Sequence, residues 1–291
     1  MKIADFVELL RPFTLLAPFV GVACGGVIAA KATGAPVEGF AIPILLAAIS
    51  AALLNGASNI FNQACDVEVD RINKPARPVP SGKVSVKEAE LAAAVTYFFA
   101  LLLAAIVNVY FLALAAVAAL LTMLYSWHAV RLKNYGWVAN ATIAVSRGLL
   151  LIVAGWSAAA SPFSPAPWFI GSIFGLFLLG AASTKDFSDM EGDRKYGTMT
   201  LPIMYGVEKA ACIIAPFLVV PFLIIPLGVW AGIVPGAAIY LSLLSLWGAY
   251  TAYLIVKEPK KMALEANHPS WIHMYLIMVV GYAGFAISYF A

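Results

Sequence analysis

The sequence predicts an all-α, polytopic membrane bundle of about nine transmembrane helices. Its composition is the first sign. Of 291 residues, 63% are hydrophobic and 11% are charged, whereas soluble domains carry about 25% charged residues. The mean hydropathy is +0.91. The second sign is a series of apolar runs, each long enough to cross a bilayer, which takes roughly 17–25 residues. They fall at 12–31, 41–61, 89–107, 109–127, 137–157, 167–185, 209–230, 236–256 and 271–290. All belong to one expected integral-membrane domain over 1–291.

Each run has its own reading. Lys2, Asp5, Glu8 and Arg11 make the start of the chain a short amphipathic lead-in; no small-residue cleavage pattern follows it. Gly21, Gly25 and Gly26 in the first run suit close helix contact. The apolar stretch from Ala89 to Trp127 is too long for one helix, so a tight hairpin is required at Asn108. The fifth run carries Asn140 and Arg147, seven apart and so expected on one face. A basic residue that deep in a span is costly and should meet a polar cavity, an acid or an anionic ligand. Pro216, Pro221 and Pro226 should bend the seventh run. Cys24, Cys65 and Cys212 lack paired spacing, and His268 and His273 lack ligand spacing. No glycine-rich phosphate loop occurs.

Basic residues alternate between connections. Arg71, Lys74, Arg77, Lys83 and Lys87 fall in the second, and Arg131 and Lys133 in the fourth. Lys185, Arg194, Lys195 and Lys209 flank the sixth; Lys257, Lys260 and Lys261 lie in the eighth. The rule that cytoplasmic loops are positive then puts the N-terminus and these connections in the cytoplasm. A net charge of +3 gives no reason to expect a nucleic-acid partner.

Two acidic clusters open on that same side. Asn62, Asp66 and Asp70 follow the second run, and Asp186, Asp189 and Asp193 follow the sixth. Spacings of three and four place each set on one helical face. Carboxylates losing hydration together call for a cation, and adjacent Lys and Arg side chains suit a polyphosphate bound with it.

These residues carry a family resemblance. Asn62-x3-Asp66-x3-Asp70 and Asp189-x3-Asp193 resemble the paired aspartate-rich motifs of UbiA-type intramembrane prenyltransferases. So do Arg71-x-Asn73-Lys74-x2-Arg77-Pro78-x-Pro80-Ser81-Gly82, Lys185-Asp186-x2-Asp189-x-Glu191-Gly192-Asp193 and Thr200-Leu201-Pro202. The resemblance spans the chain. It implies a helical bundle around a central cavity with a cytoplasmic cap, and Mg²⁺-dependent transfer of an isoprenyl chain from an allylic prenyl diphosphate to a lipophilic acceptor. Two Mg²⁺ ions would be held by Asn62, Asp66, Asp70, Asp186, Asp189 and Asp193, with Asp66, Asp70, Asp189 and Asp193 as the catalytic acids. Stabilising the departing diphosphate lowers the barrier to an allyl cation, which Phe61, Tyr125 or Phe187 could face.

The resemblance assigns the diphosphate to Arg71, Lys74, Arg77, Tyr125, Arg131, Lys133, Asn140, Arg147 and Lys185. In the fourth connection His128 and Ala129 replace prolines common in related loops, and membrane anchoring competes as an explanation for Arg131 and Lys133. Arg11, Asn55 and Asn59 are candidates for the acceptor pocket. The expected acceptor is an aromatic or quinone precursor; the alternative is a glycerol phosphate ether of archaeal-type lipid synthesis. A CDP-alcohol phosphotransferase needs an Asp-Gly-x2-Ala-Arg segment that the chain lacks. A cation-coupled transporter would place its ionisable residues near the midplane, not at helix ends.

Overall fold

The computed structural model describes residues 1–264 and 268–291. Among these, nine helical segments are long and apolar enough to cross a membrane: Pro12–Ala32, Val37–Cys65, Val86–Val107, Val109–Ser126, Trp137–Ser157, Pro165–Phe187, Val207–Trp230, Gly236–Lys257 and Ser270–Ser288. They are called the first to the ninth span. The only strand-like feature among the described residues is an isolated bridge between Tyr135 and Met199. Large apolar side chains such as Phe98, Leu102, Leu120, Leu246 and Ile272 cover the outside of the bundle, as a lipid-facing surface requires. The chain is a multi-pass membrane protein.

The expected spans are found, with ends moved by polar chemistry that hydropathy does not register. The third span begins at Val86 because Ser85 caps it. The Ser85 hydroxyl accepts from the Glu88 amide, and the Glu88 carboxylate accepts from the Ser85 amide. The second span runs on through Asn62 and Gln63, whose side chains find partners in Asp66, Ser126 and the Leu9 carbonyl. Asn108 makes the hairpin: its side chain accepts from the Phe111 amide at 2.9 Å and donates to the Ser157 carbonyl at 2.8 Å. The amphipathic lead-in is a helix, Ile3–Leu10, that buries Leu9.

Each span packs on the next, and the ninth returns to the first. The first span also crosses to the fifth, which glycine permits. A Cβ on Gly25 would lie 2.8 Å from the Ile152 carbonyl, and one on Gly155 would overlap the Val22 carbonyl. Three apolar cores result among the described residues: one around Phe174, Phe177, Phe222, Tyr282 and Phe285, one around Val22, Leu54, Tyr97 and Phe111, and a smaller one around Leu9, Ile60 and Val84. Pro216 and Pro221 lie inside the helix Val207–Leu223, which stops at Ile224 and restarts as Ile225–Trp230 with Pro226 in its first turn. The fifth span contains a π-helical turn at Val145–Leu149.

The second, fourth and sixth connections meet at one end of the bundle. The Asn73 side chain reaches Asp189 and Gly192, Asn134 reaches Thr198 and Met199, and Asp66 reaches Arg131. These ties form a cap over the spans.

Candidate functional site

Both acidic clusters sit where a span gives way to the cap. The helix Ala41–Cys65 ends at Asp66 and a short helix, Val67–Asn73, follows. The Asp70 amide still donates to the Asp66 carbonyl at 2.7 Å, so the two acids remain one turn apart across the bend. On the other side Asp186 lies in a 3₁₀ segment, Ala182–Phe187, while Asp189 precedes the short helix Met190–Lys195 that carries Asp193. The break in helical geometry explains how two clusters in separate spans come to face one another.

Most of these carboxylates are turned toward a cation. Asp66 takes Arg131 at 3.0 Å and also Lys133, and accepts from Asn62 at 2.7 Å. Asp70 takes Arg77 at 2.6 Å, Asp186 takes Lys185 at 2.9 Å, and Asp189 takes Lys74. Among the described residues no three acidic, His or Cys side chains converge on one point. Like charges repel, and each acid has a Lys or Arg within reach. Asp193 differs. It makes no ion pair among the described residues, and partial burial followed by the charges of Asp186 and Asp189 pushes its carboxyl up to about 7. Burial also raises Asp70, against the lowering effect of Arg77, and lowers Lys74.

Tyr125 stands within electrostatic reach of Lys185, Asp186, Arg147 and Asp66, linking the two clusters to the bundle interior. Arg147 donates to the Ser58 hydroxyl at 3.0 Å, and its Nε has no hydrogen-bond partner. Asn140 does not share its face: it donates to the Leu179 carbonyl and the Ser183 hydroxyl, because the π-helical turn shifts the register between the two. Arg71 also stands apart, paired with Glu68 on the exposed side of its helix. Asn55 and Asn59 hold the lead-in, donating to the Thr14 and Leu10 carbonyls. Arg11 follows that helix with a positive φ of 55°. Desolvation, then the charges of Arg77 and Arg147, lowers its pKa to about 10. Phe187 is fully buried in the largest core.

A narrow apolar pocket of about 40 Å³ lies among the first, second, fourth and fifth spans, walled by residues such as Val22, Leu54, Ala115 and Leu150, with Asn55 and Arg147 among its polar lining residues. Three polar residues absent from the sequence-based set matter to the geometry. Ser58 and Ser126 hold Arg147 and Asn62, and Asn73 joins the second connection to the sixth. Only Asn73 had a sequence signal, its place between Arg71 and Lys74.

A multi-pass bundle with paired acidic helix ends under a tied cap defines a class, and comparison with known proteins gives the family. The chain belongs to the UbiA prenyltransferase family, whose model matches residues 13–288; it is a prenyltransferase. A digeranylgeranylglyceryl phosphate synthase of Methanopyrus kandleri is 32% identical over 90% of this chain and 97% of its own length. The bacteriochlorophyll synthase 34 kDa chain of Chloroflexus aurantiacus is 33% identical over 70% of this chain and 65% of its own. The structure of a UbiA homolog from Archaeoglobus fulgidus bound to DMAPP and Mg²⁺ superposes with a TM-score of 0.74 at 21% identity, covering 97% of this chain and 99% of that one.

Proposed function

We propose that the chain transfers an isoprenyl group from an allylic prenyl diphosphate to a glyceryl phosphate ether, with Mg²⁺ as the metal. This favours the alternative named in the sequence analysis over an aromatic or quinone-precursor acceptor. The supporting observation is a surplus of cations. Arg11 lies within electrostatic reach of Arg77 and Arg147, and among the described residues neither Arg11 nor Arg147 is ion-paired to a carboxylate. An anionic acceptor needs charge beyond that which holds the diphosphate, and these arginines supply it. The Methanopyrus kandleri relative agrees with this acceptor class; the Chloroflexus aurantiacus relative favours a chlorin acceptor as a second reading.

The metal-binding part rests on donor chemistry. Asn62, Asp66, Asp70, Asp186, Asp189 and Asp193 offer oxygen ligands only, which suit a hard divalent ion, and Asp193 feels the charges of Lys185 and Lys133 without being ion-paired to either among the described residues. In our reading these residues hold two ions, one at each cluster. Mg²⁺ when bound offsets charge on the departing diphosphate. Lys74, Arg77, Arg131, Lys133 and Lys185, each beside an acid, then have N–H groups to turn toward phosphate oxygens. Tyr125, within electrostatic reach of both clusters and of Arg147, offers an aromatic face for a developing allyl cation. The apolar walls of that narrow pocket would have to part to admit the isoprenyl chain, and would then keep water from that cation. The cap lies in the cytoplasm, a reading supported by the basic connections, and the return of the ninth span to the first supports a single domain.

The test is turnover of a labelled allylic prenyl diphosphate with Mg²⁺, offered in parallel a glyceryl phosphate ether, an aromatic quinone precursor and a chlorin. The expected product is the prenylated ether with diphosphate released. Asp66→Ala and Asp189→Ala should each lower turnover by roughly 100-fold or more, the scale of losing one charge-stabilising group at a reacting centre. Full turnover in both variants would remove the metal clamp. Prenylation of the aromatic or chlorin acceptor alone would overturn the acceptor assignment.

A further inference from the structure

The two acidic half-sites come from connections more than a hundred residues apart in sequence, yet a diphosphate held by both needs their spacing fixed to a fraction of an ångström. Three direct polar links join the second connection to the sixth. One is the ion pair of Lys74 with Asp189. The other two come from one side chain: the Asn73 amide donates to the Asp189 carbonyl at 2.8 Å, and its carbonyl oxygen accepts from the Gly192 amide at 2.9 Å. The ion pair uses a carboxylate needed for metal, so it must loosen when the ion binds. The Asn73 links use backbone groups alone and compete with no ligand atom.

We propose that Asn73 is the positioning residue that sets the distance between the two acidic half-sites, with Gly192 as its receptor. This rests on the reading that each cluster holds a metal ion. The residue types match the task. The amide side chain offers a donor to one backbone group and, from a separate atom, an acceptor to the other. Aspartate keeps the size but cannot donate, and sets a negative charge against the Asp189 carbonyl. Gly192 is required by close approach, since a Cβ there would stand 2.7–2.8 Å from the Asn73 amide atoms. The amide cannot withdraw without giving up both bonds. The short helix Met190–Lys195, which carries Asp193, is thereby held against Val67–Asn73, which carries Asp70.

The experiment is a calorimetric titration of Mg²⁺ into the detergent-solubilised full chain with inorganic diphosphate present, well below each variant's melting temperature. Asn73→Leu, Asn73→Asp and Gly192→Ala are compared with the wild type, the Asn73→Leu/Gly192→Ala double variant, and Asp66→Ala and Asp189→Ala. Expected is a roughly 10- to 100-fold loss of Mg²⁺ affinity in each Asn73 and Gly192 variant, the usual size of an effect from behind the ligand shell. The double variant should be no worse than the worse single, because both remove the same clasp. In turnover, kcat should fall more than KM rises. If Asn73→Leu binds Mg²⁺ as the wild type does while Asp66→Ala and Asp189→Ala lose it, the positioning role is wrong and the metal reading stands. If both aspartate variants also bind as the wild type does, the metal reading fails and this inference falls with it.

Discussion

Asp193 is the residue whose charge state is most open to solution conditions. Its pKa of about 7 lies well above the ordinary 3.8, so between roughly pH 4 and 7 the folded chain holds a proton that the unfolded chain has released. Stability from this group therefore falls as pH rises through that window. Metal binding needs the carboxylate, so Mg²⁺ affinity should rise as pH climbs past 7. Titration at pH 6 and pH 8 in buffers of different ionisation enthalpy should show about one proton released per chain on saturation with Mg²⁺ at the lower pH and close to none at the higher. Asp193→Asn should abolish the difference; an unchanged proton count would assign it elsewhere. Backbone strain also collects here. Arg11 and Arg131 are the only non-glycine residues with positive φ among those described, at about 1–3 kcal/mol each. The sequence motifs named the candidate acids and bases of the site. They could not pair Asp66 with Arg131 or Asp189 with Lys74, because those choices depend on how connections distant in sequence approach one another.

At the scale of elements, the spans were legible from apolar run length, and their interruptions only in part. Three prolines announce the break in the seventh span. No residue announces the π-helical turn of the fifth, and that turn separates Asn140 from Arg147. The crossing of the first and fifth spans tolerates little side-chain volume. Gly155→Val should cost about 1–3 kcal/mol, the usual penalty for overpacking, read as a lower melting temperature in detergent. Gly236→Ala, where a Cβ meets nothing within 4 Å, should leave it unchanged. Equal melting temperatures for the two would mean that the crossing is looser than the close carbonyl approaches imply.

For the whole molecule, the proposed sidedness rests on the distribution of basic residues. With Cys24, Cys65 and Cys212 replaced by serine, a thiol at Ser81→Cys should react with an impermeant maleimide only from the cytoplasmic side, and one at Ser161→Cys only from the other. Ser81 belongs to the connection joining the second and third spans and Ser161 to that joining the fifth and sixth. Reversed labelling would invert the topology and move the cap out of the cytoplasm.

By itself the sequence determined the class and the span number, and it supplied the candidate residues of the site. Hydropathy and charge alternation are properties of a few residues at a time, and the bilayer imposes them on every segment separately. Tertiary structure decided the rest. Closing the ring brought two distant acidic connections under one cap, gave Asp66, Asp70, Asp186 and Asp189 their cations, set Arg147 within reach of Arg11, and placed the Asn73 amide against Gly192. Distances of a few ångströms between remote segments depend on how all the helices pack together, and no local pattern of residues encodes them.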